Sequence, residues 1–207
     1  AACSKVLLQS STTSTTENFR RTRMKLKSCL LLLAATLLSG CDRAADSDLT
    51  DDLGARALAI AESAIIVDTH IDVPMKLLRT GADVSGPADG FDFDYPRAVA
   101  GGLNAPFMSI YTDAKLEAEG RSREVAEQLI DAVEGMVAAA PDKFAIALSP
   151  ADVQEHFEKG LISLPMGMEN GSPIEGELDN VRYFHERGIR YITLAHSLSN
   201  HISDSSY

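Results

Sequence analysis

A histidine and an aspartate stand two residues apart in a segment that is typical of the end of a β-strand. His70 and Asp72 follow a short β-branched run at residues 65–67. Side chains two residues apart in an extended chain point to the same side, so this imidazole and this carboxylate are placed to bind one cation. The alternative is that both residues only cap the turn that follows the strand.

Two further side chains suited to metal or proton chemistry also follow apolar, strand-like segments. Glu169 follows the run at residues 161–168, where an unpaired carboxylate is costly to bury and a bound metal would offset that cost. His196 follows the β-rich run at residues 189–194. The alternatives are an exposed Glu169 bonded to helix N–H groups and a structural His196 bonded to the backbone. The remaining histidines are expected at the surface of helices or a loop: His156, His185 and His201.

Cysteine usage and charge exclude two classes of chemistry for the main part of the chain. The three cysteines are Cys3, Cys29 and Cys41, so residues after 41 can form no disulfide and no Cys-based zinc site. Any metal there must be held by His and carboxylate. The formal net charge is −11, and the residues after Cys41 include 13 basic and 29 acidic ones. A chain this acidic excludes nucleic acid as a partner, because phosphate binding needs a basic surface.

Strand and helix patterns alternate along the chain after residue 50. The predicted strands are residues 65–67, 103–111, 144–148, 161–168 and 189–194. The predicted helices are residues 52–64, 122–140, 150–159 and 177–187, with Ser149 as the N-cap of the third, and residues 83–94 are predicted as a loop. This alternation is typical of an α/β fold with a parallel sheet. The candidate residues all follow predicted strands, and barrel enzymes carry their sites at the C-terminal ends of their strands.

Four segments, taken in order, resemble the motifs of one enzyme family, the membrane (renal) dipeptidases. They are VDTHIDVP at residues 67–74, GG at 101–102 followed by FMSIY at 107–111, GMENG at 167–171, and GIRYITLAHS at 188–197. Their order and spacing match the family over about residues 55–207.

The resemblance implies a (β/α)8 barrel of the TIM type that hydrolyses dipeptides with a hydroxide held between two zinc ions. It assigns His70 and Asp72 to the first zinc, Glu169 to a bridge between both ions, and His196 to catalysis, as the group that steadies the developing oxyanion. The second zinc would need two further histidines from later strands, which are absent from this sequence. A complete barrel takes about 250 residues, so we expect this chain to hold roughly its first half and to be inactive alone.

Two alternatives to a dipeptidase stay open. One is a related barrel metal hydrolase that acts on a lactone or an N-acyl amino acid, since the residues that would grip the substrate are missing. The other is a non-catalytic, lipid-anchored binding protein, which the presence of His70, Asp72 and Glu169 argues against. The expected partners are a small dipeptide substrate and the membrane, with a homodimer as a further option.

The N-terminal part of the chain resembles a targeting segment. A basic stretch at residues 24–27 precedes an apolar run at residues 29–38, about half the ~20 residues that a membrane-spanning helix needs. The run leads into LSGC, which resembles the lipobox of bacterial lipoproteins, with Cys41 as the lipid attachment site. An ordinary signal peptide is the alternative. The expected location is the bacterial cell envelope, on the periplasmic side.

These interpretations divide the chain into four parts. They are a disordered upstream extension at residues 1–23, a lipoprotein signal peptide at 24–41, a tether at 42–52, and the N-terminal part of the barrel at 53–207.

The lipid attachment at Cys41 is testable in a bacterial host. The Cys41→Ala protein is expected to leave the detergent phase in a detergent-partitioning experiment, because the thiol that carries the lipid is gone, whereas a Cys29→Ala control stays in it. If the Cys41→Ala protein still enters the detergent phase as the parent does, lipid attachment at Cys41 is wrong.

Overall fold

The structure of the protein, a computed structural model, describes residues 42–206, and its side chains are described from residue 51 onward. Residues 1–41, which include the expected signal peptide and Cys41, lie outside the described residues. The chain divides into two compact units, residues 1–55 and residues 56–207. Helix α1, Asp42–Ser63, begins in the first unit and ends in the second, and the features described below belong to the second. No helix within residues 42–206 is long and apolar enough to span a bilayer.

Strands and helices alternate through the second unit. The strands are β1 (Ile66–Ile71), β2 (Leu103–Tyr111), β3 (Phe144–Ile146), β4 (Ile162–Leu164), β5 (Met166–Glu169) and β6 (Ile189–Thr193). The helices after α1 are α2 (Val73–Thr80), α3 (Tyr95–Gly101), α4 (Lys115–Ala118), α5 (Ser122–Ala139), α6 (Pro150–Glu158) and α7 (Leu178–Glu186), with a 3-10 turn at Ser172–Ile174.

The strands pair in parallel throughout the described residues. Four of them form a sheet in the order β1-β2-β5-β6, and β3 pairs with β4. The prediction of a parallel α/β fold is therefore confirmed, and the strand–helix alternation is that of the first units of a (β/α) barrel of the TIM type. At the C-terminal edge of the sheet, Glu169 pairs with Tyr111 on one side and with Thr193 on the other.

The predicted strand at residues 161–168 is divided by Pro165 into β4 and β5. Proline has no N–H to donate to a neighbouring strand, although its carbonyl oxygen still accepts from the Met108 N–H at 2.8 Å. Before this proline the chain pairs with β3, and after it with β2 and β6. As a result, β5 lies between β2 and β6, and Glu169 at its end lies in the interior of the C-terminal edge of the sheet.

Helix α5 supplies much of the core below the sheet. Its apolar residues recur every three or four positions, and those that are buried are Val125, Ala126, Leu129, Ile130, Val133 and Met136. They join one apolar cluster with strand residues such as Met108, Ile110 and Met168, which are fully buried. Each fully buried Leu, Ile or Val contributes roughly 1.5–3 kcal/mol, so this contact is a main source of stability for the sheet.

Several helix boundaries differ from the sequence prediction. Residues 42–52, interpreted as a tether, are the first half of α1. Helices α2, α3 and α4 were not predicted, because they span 8, 7 and 4 residues and are too short to show a clear helical period. Ser149, by contrast, caps α6 as predicted, since its hydroxyl oxygen accepts from the Asp152 N–H at 3.2 Å.

The buried side chain of Asp94 organises the loop that precedes α3. Its carboxylate accepts from the Arg97 N–H at 2.9 Å, from the Ala88 N–H at 3.0 Å and from Arg97 Nε at 2.9 Å. These hydrogen bonds, that from the Arg97 side chain first, lower the pKa of Asp94 to about 2. The charged carboxylate is therefore the form that holds the loop.

Replacement of Asp94 by Asn is expected to make stability less sensitive to acid. Because the folded-state pKa is depressed, the stabilisation by Asp94 is complete above the unfolded-state value of 3.8 and is lost as pH falls towards about 2. The thermal midpoint of the parent should exceed that of Asp94→Asn above pH ~4, and the difference should shrink between pH ~4 and ~2. The control is Asp92→Asn at an exposed position in the same loop. A parent–variant difference that stays constant over this range would contradict the role of Asp94.

Candidate metal centre

Three side chains singled out in the sequence converge at the C-terminal edge of the sheet. The donor atoms of His70, Asp72 and Glu169 all lie within 4.8 Å of one another. The Nε2 atom of His70 is 3.4 Å from Asp72 Oδ1 and 3.1 Å from Glu169 Oε2. The fold therefore brings together residues that are about 100 positions apart in the chain.

The donor set of this cluster fits a zinc ion. Imidazole nitrogen and carboxylate oxygen are established zinc ligands, and ligand atoms about 2.0–2.2 Å from a tetrahedral zinc lie roughly 3.4 Å from one another. The distances of 3.4 Å and 3.1 Å from His70 Nε2 to the two carboxylates agree with that spacing. His70, Asp72 and Glu169 are thus the residues that would hold a metal.

Asp72 is available as a ligand because it does not cap the helix that follows it. It occupies the N-cap position of α2, but its carboxylate accepts no capping hydrogen bond, and its side chain is 77% exposed. The alternative role considered from the sequence, capping of the next turn, is therefore not its role. Pro74 helps to start α2 without a cap, because a proline in the first turn needs no hydrogen-bond partner for its nitrogen.

Glu169 is the most enclosed member, with 14% of its side chain exposed. Its Oε2 accepts from the Ser109 hydroxyl at 2.8 Å and faces His70, whereas its Oε1 lies 3.0 Å from His196 Nε2. None of these partners is a helix N–H group, so the alternative considered from the sequence does not apply. Its two oxygens face different histidines, His70 and His196.

His196 lies just after β6 and faces the same cavity. Its Nδ1 lies 3.2 Å from the Ser197 hydroxyl, and its ring makes an edge-on contact with Tyr111 at 5.2 Å between centroids. Its side chain is 40% exposed. Both ring nitrogens therefore have side-chain partners, in contrast to a structural histidine bonded to the backbone.

The other histidines are separate from the cluster. His201 lies 3.0 Å from Glu117 Oε1 through its Nδ1 and accepts from the Gly176 N–H at 2.9 Å. His156 is half-buried, with its Nδ1 3.0 Å from the buried Ser163 hydroxyl, so its predicted exposure is wrong. His185 is exposed at the end of α7, as predicted.

Asn170 holds the loops around the cluster in place. It is fully buried and has a positive φ of 74°, a conformation that asparagine tolerates better than most residues. Its amide donates to the Thr112 carbonyl oxygen at 2.8 Å, and its Oδ1 accepts from Asn200 Nδ2 at 2.7 Å. One side chain thereby joins the loops that follow β2, β5 and β6.

Ser109, Asn170 and Tyr191 are site residues that sequence reasoning missed. Nothing in the local sequence marks Ser109 or Asn170, since their partners come from other strands. Gly167 is a signal that could have pointed to Tyr191, because a glycine inside a strand often marks the close approach of another group.

The electrostatic field at the cluster favours a cation. Burial raises the pKa of the Tyr191 phenol, and the carboxylates of Glu169, Asp72 and Asp68 raise it further. The pKa of Tyr111 is raised in the same way, by burial first and then by Asp113, Glu169 and Asp72. In both tyrosines, the part of the pKa increase that does not come from burial comes from the negative charge of these carboxylates.

The cluster opens into a cavity of about 610 Å³. It is lined by Asp72, Met75, Lys76, Arg79, Thr80, Tyr111, Glu169 and His196. Helix α2 contributes two cationic side chains to the wall, and the cluster contributes two carboxylates.

A parallel α/β fold with a His–carboxylate cluster at the C-terminal edge of its sheet is typical of metal-dependent hydrolases built on the (β/α) barrel. Residues 54–207 match the sequence profile of the membrane dipeptidases, peptidase family M19. The chain belongs to this family.

Individual relatives agree with the family assignment. The dipeptidase aclJ of Aspergillus oryzae is 35% identical over 119 residues, which are 54% of this chain and 28% of that protein. The probable dipeptidase PvdM from Pseudomonas aeruginosa superimposes with a TM-score of 0.66 at 25% identity, over 73% of this chain and 39% of that structure. A metallopeptidase from Rhodobacter sphaeroides, liganded with a phosphinate mimic of the dipeptide L-Ala-D-Ala, gives 0.56 at 25% identity, over 64% and 46%. The chain thus spans less than half the length of these relatives.

Removal of the His70 imidazole is expected to weaken metal binding strongly. Loss of one of three converging ligands should lower zinc affinity by more than the ~10–100-fold that outer-shell changes cause. The measurement is zinc per chain by elemental analysis of the full-length His70→Ala protein, with His185→Ala at the exposed end of α7 as the control. Unchanged zinc in a folded His70→Ala protein would contradict the assignment.

Proposed function

We propose that the protein is a zinc-dependent dipeptidase whose first metal is held by His70, Asp72 and Glu169. The observation that carries the proposal is the convergence of these three side chains at the C-terminal edge of a parallel sheet, in a chain of the membrane dipeptidase family. Zinc is favoured because imidazole nitrogen and carboxylate oxygen are the ligands that it takes in catalytic sites.

A second zinc next to the first is part of the proposal. Glu169 is the bridging residue, since its Oε2 faces His70 and its Oε1 faces the side of the cavity that holds His196. When bound, the zinc ions would polarise the scissile carbonyl group and lower the pKa of a bound water. The remaining ligands of the second ion are not among the residues described here.

The charges that line the cavity suit a dipeptide. A dipeptide at neutral pH carries a free ammonium group and a free carboxylate. Arg79 on the cavity wall can pair with that carboxylate, whereas Lys76 already donates to the Gly90 carbonyl oxygen, and Asp72 and Glu169 are the proposed metal ligands. Its volume of about 610 Å³ lies within the range of small-molecule sites. The Rhodobacter sphaeroides relative, which is liganded with a dipeptide mimic, supports the same substrate class.

His196 is the residue proposed to act on the substrate directly. Its Nε2 faces the cluster and points towards Glu169 at 3.0 Å. In that position an Nε2–H can donate a hydrogen bond to the amide oxygen as negative charge develops on it. The edge-on contact with Tyr111 and the Ser197 hydroxyl hold the ring in this orientation.

We further propose that the protein is exported and attached to the cell envelope through a lipid on Cys41. The basic residues at 24–27, the short apolar run and the LSGC sequence support this location. The dipeptide substrate would then be met on the periplasmic side.

Loss of His196 is expected to slow hydrolysis without removing the metal. Removing one donor to a developing oxyanion lowers kcat by roughly 100- to 1000-fold. The assay is zinc-supplemented hydrolysis of a simple dipeptide by the full-length protein, its His196→Ala variant and the His185→Ala control. Zinc per chain should be the same in all three.

The same assay separates the proposed function from its alternatives. Hydrolysis of a lactone or an N-acyl amino acid, without turnover of dipeptides, would show that the protein is a related hydrolase and not a dipeptidase. A zinc-loaded full-length protein that hydrolyses none of these compounds would identify a binding protein. Unchanged kcat in His196→Ala would remove this residue from the catalytic mechanism.

A further inference from the structure

The side chain of Tyr191 joins the two outer strands of the four-stranded sheet. Tyr191 lies on β6, at the opposite edge of the sheet from β1. Its hydroxyl oxygen is nevertheless 2.9 Å from His70 Nδ1 and 3.3 Å from the Thr69 carbonyl oxygen, both on β1. One side chain therefore connects the two outer strands over the strands that lie between them.

Gly167 provides the space through which the Tyr191 ring passes. The two residues are register partners in β5 and β6. A Cβ atom on residue 167 would lie 1.9 to 2.4 Å from three atoms of the Tyr191 ring, so no larger residue fits while the ring keeps its place. On β2, the ring of Phe107 lies 5.4 Å from the Tyr191 ring between centroids. Residues of β5 and β2 thus fix the position of the Tyr191 ring.

The hydrogen bonds of the Tyr191 hydroxyl determine which His70 nitrogen carries the proton. The Thr69 carbonyl oxygen can only accept, so the hydroxyl donates its hydrogen there. The hydroxyl oxygen is then left to accept from His70 Nδ1–H. A proton on Nδ1 leaves the Nε2 lone pair for a cation held together with Asp72 and Glu169, whose carboxylate oxygens lie 3.4 Å and 3.1 Å from Nε2.

We propose that Tyr191 is a positioning residue that fixes the tautomer and the ring orientation of His70, so that Nε2 is presented to the metal. The partner of the second nitrogen of a metal-binding histidine usually sets its tautomer and its basicity. That partner is most often a carboxylate or a backbone carbonyl, whereas here a phenol stands between the imidazole and the carbonyl. The inference rests on the proposed metal site.

The test compares Tyr191→Phe with Tyr95→Phe in the full-length protein. Both changes remove one phenolic hydroxyl, but Tyr95 packs edge-on against Phe144 and is not part of the cluster. The first measurement is the nitrogen-15 NMR spectrum of the His70 ring in the zinc-loaded protein, which distinguishes the two tautomers. The second is zinc affinity by competition with a chelator.

With zinc bound, the parent and Tyr95→Phe are expected to hold His70 in the Nδ1–H form, and Tyr191→Phe to give a mixture of tautomers. Zinc affinity in Tyr191→Phe should fall about 10-fold or more. A second variant, Gly167→Ala, displaces the ring without removing the hydroxyl and should change His70 in the same direction. The Gly167→Ala variant still tests the proposal if Tyr191→Phe does not fold.

An unchanged His70 tautomer in either folded variant, with the zinc affinity of the control, would overturn the proposal. If the parent itself binds no zinc, the proposed metal function fails, whereas zinc binding that Tyr191→Phe leaves unchanged overturns only the inference about Tyr191. A lower zinc affinity with an unchanged tautomer would also contradict the mechanism stated here.

Discussion

The arrangement of the site depends on one carboxylate placed at the end of an interior strand. Glu169 follows three buried residues of β5 and is itself largely enclosed, and a carboxylate removed from water must find partners. Ser109 on β2, His70 on β1 and His196 after β6 meet this need on its two oxygens. The groups that contact the Glu169 carboxylate are therefore drawn from every other strand of the four-stranded sheet.

The residues that stabilise the fold and the residues of the candidate site lie in different parts of the same parallel sheet. Below its C-terminal edge, Met108, Ile110 and Met168 pack with helix α5 in an apolar core. At the edge, the chain leaves each strand through polar residues that bind one another, with Asn170 at the centre of three loops. Changes in the core should act on folding, whereas changes at the edge should act on metal binding and on the placement of the loops.

Much of the fold could be predicted from the sequence because its signals are local. The amphipathic period of α5 and the Ser149–Pro150 start of α6 are properties of neighbouring residues, and both predictions are confirmed. The α/β class follows from the order of the elements. The division at Pro165 was missed, since an apolar run shows that a strand is present but not which strands it will pair with.

For the site, the sequence alone determined which residues are proposed to carry the chemistry. His70, Asp72, Glu169 and His196 stand out because polar groups directly after apolar strands have few structural reasons to be there. Only the tertiary structure decided how they meet, because their contacts span about 100 residues or more of chain. Tyr191 is the clearest case: its hydroxyl meets His70 across 121 positions. That contact exists because the sheet brings β6 and β1 within one side chain of each other, and because Gly167 leaves room for the ring.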